Sequence, residues 1–108
     1  MRAVVRYYVY VIELRPLRRT RPHAKPDVYV GSSALTPRAR FAKHLTHDRS
    51  SRHVRHRGVR LRPDLYPASS FASRRDAKAM EHRLAHELET RGHRVYGSCS
   101  PRVPECVM

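Results

Sequence analysis

Residues 4–13 read VVRYYVYVIE, and residues 27–31 read DVYVG. The first run is β-branched and aromatic and holds neither Gly nor Pro, which is the composition of a strand. Side chains alternate across a strand, so Tyr8, Tyr10 and Ile12 share one face and Tyr7, Val9 and Val11 the other. Both faces are largely apolar, which predicts a central strand covered on both sides. Between the two runs, residues 15–27 read RPLRRTRPHAKPD, a loop rich in proline and basic side chains. Two strands joined in this way predict an antiparallel hairpin.

A helix is expected next. Thr36 suits its N-cap and Pro37 its first position. Phe41, Ala42 and Leu45 would form its apolar stripe, with Arg40, His44 and His47 together beside it. Residues 46–63, THDRSSRHVRHRGVRLRP, are polar and basic, and their first part reads as an irregular loop. A short strand fits within Val59–Tyr66, with Leu61 and Leu65 as core candidates and Pro63 confining it to a sheet edge. The second helix carries the clearest signal. Ser73 and Asp76 form an S-x-x-D capping box, Ala77, Met80, Leu84 and Leu88 follow a helical period, and Gly92 is a natural C-cap. Glu81 is expected on the flank of that stripe, about 100° from Met80. His93–Gly97 adds a last short strand. The expected organisation is one domain over 1–97 and an irregular tail over 98–108. Its fold class is α/β (α+β), with a small, mainly antiparallel three-stranded sheet flanked by helices.

The 108 residues carry a formal net charge of +14 at pH 7. Such an excess on a small domain points to a polyanionic partner, and DNA is the expected one. Basic residues number 23 against 9 acids. Nearly all of them are Arg, whose planar fork grips phosphate in a way Lys does not. The expected nucleic-acid contacts are Arg18, Arg19, Arg21, Lys25, Lys43, Arg52, Arg55 and Arg57. The loops 15–25 and 49–62 are expected to hold most of the uncommitted positive charge. No run approaches the roughly 20 apolar residues of a membrane span. The N-terminus lacks the apolar stretch of a signal peptide, so a cytoplasmic, nucleoid-associated protein is expected. Cys99 and Cys106 are read as two reduced thiols, with a disulfide or half of a metal site as the other options.

Four features coincide in chain order: Tyr10 and Tyr29 on a hairpin, Arg40 and His44 one turn apart on a helix, the carboxylate of Glu81, and a strongly basic chain. Each has a plain structural reading. The tyrosines can be core packing, Arg40 and His44 a solvated helix face, and Glu81 a surface partner of Lys78 or Arg83. His82 and His86 have the i, i+4 spacing of metal ligands, but no adjacent ligand completes a zinc site. Taken together, the features resemble the GIY-YIG nuclease family, in its small stand-alone bacterial form. Tyr8-Val9-Tyr10 and Tyr29-Val30-Gly31 are similar to its two motifs. VYVGSSALTPRARFAKH resembles its second strand, turn and first helix, and SRRDAKAMEHRLAHEL its second helix. The resemblance covers roughly residues 5–97. It places the family's catalytic Arg at Arg40, its helix His at His44 and its Glu at Glu81. Tyr8 stands where the first motif has Gly, and the late Asn of many members has no clear counterpart after Gly92.

The resemblance implies a divalent-metal-dependent endonuclease that hydrolyses phosphodiester bonds, with its catalytic groups across one sheet face and a possible place in DNA repair. Elementary chemistry gives the same residues matching roles. A lone carboxylate suits Mg²⁺ or Mn²⁺, so Glu81 is the expected metal ligand. Arg40 would hold phosphoryl oxygens as charge builds. Tyr29 is the expected base for the attacking water with Tyr10 in support, and His44 would shuttle a proton or fix the phosphate. The alternatives are a non-catalytic nucleic-acid-binding protein and a docking module of a nuclease or repair complex that engages a protein partner.

Overall fold

The computed structural model describes residues 5–15, 25–45 and 52–97. They form an α+β domain in which a mixed five-stranded sheet lies between helices. Strand β1 (Tyr7–Leu14) pairs antiparallel with β2 (Asp27–Ser33), setting Tyr10 opposite Gly31 and Ile12 opposite Tyr29. The expected hairpin is present. Helix α1 (Pro37–Leu45) follows, with the Thr36 hydroxyl accepting from the Ala39 amide at 3.3 Å. Helix α2 (Arg52–Arg57) leads directly into β3 (Gly58–Leu61). A 3₁₀ turn at Pro63–Leu65 precedes β4 (Ser70–Phe71), helix α3 (Arg74–Thr90) and β5 (Val95–Tyr96).

The sheet runs in the order β3-β1-β2-β5, with β4 also pairing with β1. This corrects the expectation of a mainly antiparallel three-stranded sheet. The difference lies in two-residue strands: β4 binds the start of β1, and β5 runs parallel to β2. Segments this short carry no periodicity, and only the partner strand's free hydrogen-bonding edge defines them. Helix α2 is a second correction, because its first part was expected as an irregular loop. Val54, fully buried against Tyr10, Ile12 and Leu14, anchors it, so tertiary packing rather than propensity makes this helix. The edge-strand expectation holds: β3 stops at Leu61 and Pro63 opens the next turn.

Strand β1 is covered on both faces, as its two apolar faces predict. Val9 and Val11, with Val28 and Val30, pack on Ala77, Leu84, Ala85 and Leu88 of α3. Tyr10, Ile12 and Leu14 face Val54 and Phe41 on the other side. The signals at both ends of α3 are realised. The Ser73 hydroxyl accepts from the Asp76 amide at 3.1 Å. At the other end Gly92 takes φ +105°, the His93 amide reaches Leu88 O and the Gly92 amide reaches Glu89 O, a Schellman closure. Among the described residues no helix is long and apolar enough to cross a membrane.

Candidate active site

Of the stripe expected of the first helix, only Phe41 packs on the core. Leu45 is 47% exposed and Ala42 is exposed, whereas His44 is 1% exposed. The helix is rotated so that its histidine, not its leucine, meets the sheet. The reason is a polar partner in the core: the Tyr10 hydroxyl lies 2.9 Å from His44 Nε2. A buried hydroxyl and a buried imidazole each require a hydrogen bond, and this contact satisfies both.

The positive charge of Arg40 acts on the Tyr10 phenol, opposing the larger effect of burial. Burial, and then the charge of Arg40, pull the His44 pKa down to about 4, so the ring is neutral near pH 7. Burial is also the main reason the Tyr10 phenol is held well above its usual pKa, with Tyr29 adding to the effect. Tyr10 therefore stays protonated, hydrogen-bonded to His44. Tyr29, only partly buried, completes the aromatic cluster. Its ring centroid is 6.4 Å from that of Tyr10 and 5.6 Å from that of His44, edge-on to the latter. The cluster requires Gly31: a Cβ there would meet the Tyr10 hydroxyl at 2.6 Å and a Tyr29 ring carbon at 3.0 Å. His44 is thus placed to hold Tyr10, with Nε2 turned away from solvent.

Glu81 was expected on the flank of the apolar stripe of α3. It lies inside it, fully buried among Ala77, Leu84, Ala85 and Leu88, while Met80 is only partly buried. A carboxylate is tolerated there because polar groups satisfy it. The Ser32 hydroxyl donates to Oε2 at 2.7 Å, and Lys78 Nζ stands 3.3 Å from the same oxygen. Ser32 follows Val28 and Val30 at the strand's two-residue period, so Glu81 works from the α3 face of the sheet. Tyr10, Tyr29, Arg40 and His44 occupy the opposite face. This corrects the expectation that all these groups lie across one face. The negative charge of Glu81 is nevertheless felt at the Tyr10 phenol.

Ser32 was not singled out in the sequence, whereas Gly31 was read as part of the second motif and Lys78 as a partner of Glu81, which it is, with the carboxylate buried and not on the surface. Alternation from Val28 and Val30 would have placed Ser32 under α3, and Lys78 is one helical turn before Glu81. Nothing in one sequence couples the two. Among the expected nucleic-acid contacts, Lys25 and Lys43 are exposed, and Arg52 and Arg55 belong to α2. Arg57 is placed differently. It is buried, paired with Asp27 at 2.5 Å, hydrogen-bonded to Arg15 O at 2.7 Å and set over the Tyr96 ring. Arg60 and Arg62 pair with Glu13, and Arg62 also with Asp64, so less of the 49–62 charge is uncommitted than expected. Arg18, Arg19, Arg21, His47, Cys99 and Cys106 lie outside the described residues.

His82 and His86 are edge-on neighbours on α3, with ring centroids 5.4 Å apart. Among the described residues no group of three His, Cys, Asp or Glu side chains gathers as a metal cluster. In comparisons with known proteins, no family model, curated protein or solved structure matches the chain.

Proposed function

We propose that the chain is a divalent-metal-dependent endonuclease of GIY-YIG type that hydrolyses phosphodiester bonds in DNA. The observation that carries this reading is the buried Tyr10–His44 hydrogen bond beside Tyr29, with the charges of Arg40 and Glu81 acting on the same phenol. Desolvating an arginine, a neutral histidine, two tyrosines and a carboxylate has a cost that apolar side chains in the same places would not carry. Collections of perturbed ionisable groups are characteristic of reactive sites.

The residues divide the work. Arg40 is half-buried and presents a planar fork of donors, so it suits the phosphoryl oxygens as negative charge grows. Tyr10 and His44 hold α1 against the sheet face, and neither titrates near pH 7. Tyr29 remains as the group to accept a proton. Its phenolate takes one from water as the water oxygen bonds to phosphorus. The bond to the leaving ester oxygen breaks, and solvent protonates that oxygen.

The residues around Glu81 fit a hard cation. A carboxylate oxygen and a hydroxyl are the donors Mg²⁺ or Mn²⁺ prefers, and a positive charge, the Lys78 ammonium, already stands on the carboxylate. With such an ion at Glu81, the chemistry supplied is neutralisation of charge on the phosphoryl group.

The test is cleavage of nicked, flapped, branched and plain duplex DNA with Mg²⁺, Mn²⁺ or EDTA. Glu81→Gln should abolish metal-dependent cleavage while folding and DNA binding persist. Wild-type rates in that variant would remove Glu81 from the mechanism. Non-catalytic DNA binding is the second reading, favoured by the complete burial of Glu81. It predicts salt-sensitive binding with no cleavage under any metal.

A further inference from the structure

A carboxylate at zero exposure must be compensated, because an isolated buried charge is strongly unfavourable. Ser32 contributes one hydrogen bond, and its short distance of 2.7 Å fixes the orientation of Oε2. The charge compensation on that oxygen comes from Lys78, three residues earlier on the same helix. The two partners of this ion pair are unequally placed. Glu81 is enclosed, while the Lys78 side chain is 43% exposed and reaches in from solvent. An ammonium is a compact, strongly hydrated point charge on a flexible stem. It can withdraw into water without leaving a cavity in the core.

We propose that Lys78 is a built-in counter-cation that occupies the cation position at Glu81 and must be displaced before a divalent ion binds there. This inference rests on the reading of Glu81 as a metal ligand. Lys78 is then a positioning residue that sets metal affinity, not a group that touches substrate. Without metal the internal pair keeps the Glu81 carboxylate aimed, and it lowers the apparent affinity for the ion. The linkage is that of any two ligands competing for one site: each weakens the other by the same factor.

The experiment is Mn²⁺ titration of the full chain, by calorimetry or by the paramagnetic resonance signal of free Mn²⁺. Thermal unfolding is measured with and without the ion. Lys78→Met keeps the length and apolar stem of the side chain and removes its charge. It should bind Mn²⁺ about tenfold more tightly than wild type, and Mn²⁺ should raise its melting temperature by more. Lys78→Arg keeps the charge and should show no gain. Glu81→Gln should lose the Mn²⁺ site in either background. Equal Mn²⁺ affinity in wild type and Lys78→Met, with the site lost in Glu81→Gln, would overturn the role of Lys78 and leave Glu81 as the ligand. Equal affinity in wild type and Glu81→Gln would overturn the ligand reading itself, as would no binding by any protein. If Lys78→Met folds only with Mn²⁺ present, the proposal is supported. If it folds under neither condition, Lys78→Gln takes its place, and an unchanged affinity in that variant rejects the proposal.

Discussion

At the scale of single residues, His44 departs furthest from a plain reading of the chain. A helix histidine beside Arg and Lys ordinarily faces water, yet this one is enclosed and bonded to Tyr10. The consequence is a pH dependence with a definite sign. The folded-state pKa of about 4 lies below the ordinary 6.5 of the unfolded chain, so between these values the unfolded state binds more protons. The contribution of His44 to stability is therefore fully present above about pH 6.5. It is lost as the pH falls toward about 4 and changes little below that. His44→Gln keeps an acceptor for the Tyr10 hydroxyl and cannot titrate. Melting temperatures from pH 4 to 7 should show a shallower acid-side fall in His44→Gln than in wild type. Parallel curves for the two proteins would mean that other groups control acid unfolding.

Elements depend on contacts that no single segment contains. Strand β2 brings Gly31 opposite Tyr10, and only hydrogen at that position leaves space for the phenol ring. Gly31→Ala places a methyl group against an enclosed tyrosine, an overpacking that costs roughly 1–3 kcal/mol in urea unfolding. The same variant should lose the Tyr10–His44 contact, visible as a His44 imidazole that titrates nearer 6.5 by NMR. Helix α2 is tied to β2 by Arg57 and Asp27, both side chains about nine-tenths buried. Arg57→Met leaves the Asp27 carboxylate without its partner and should cost about 3–5 kcal/mol. Arg57→Met combined with Asp27→Asn should recover much of that loss. A double variant that loses as much as the two singles combined would show that the pair has no coupling to report.

For the whole molecule the leading quantity is charge. A net +14 on 108 residues should make DNA binding fall steeply with salt, by roughly 0.9 in log K per log salt for each phosphate neutralised. The internal pairs of Arg57, Arg60 and Arg62 direct attention to the other basic segment. Replacing Arg18, Arg19 and Arg21 together by Gln should flatten the slope by up to about 3 units on duplex DNA. An unchanged slope, measured by fluorescence anisotropy across salt, would show that these three arginines do not meet the phosphates.

By itself the chain determined the elements whose signals are local: the β1–β2 hairpin from two apolar runs, α3 from its cap and period, and the edge position of β3 from Pro63. It also brought Tyr10, Tyr29, Arg40, His44 and Glu81 forward as one set, because their order and residue types are visible along a line. Tertiary structure alone decided what each of them touches. Period and propensity describe a segment's own faces, whereas burial depends on which face the rest of the chain covers. So His44 and not Leu45 turned inward, Glu81 entered the stripe it was expected to flank, and Arg57 became an internal partner of Asp27. The two shortest strands and helix α2 belong to the same class. They are held by contacts with other elements, and contacts between distant segments leave no periodic mark in a single sequence.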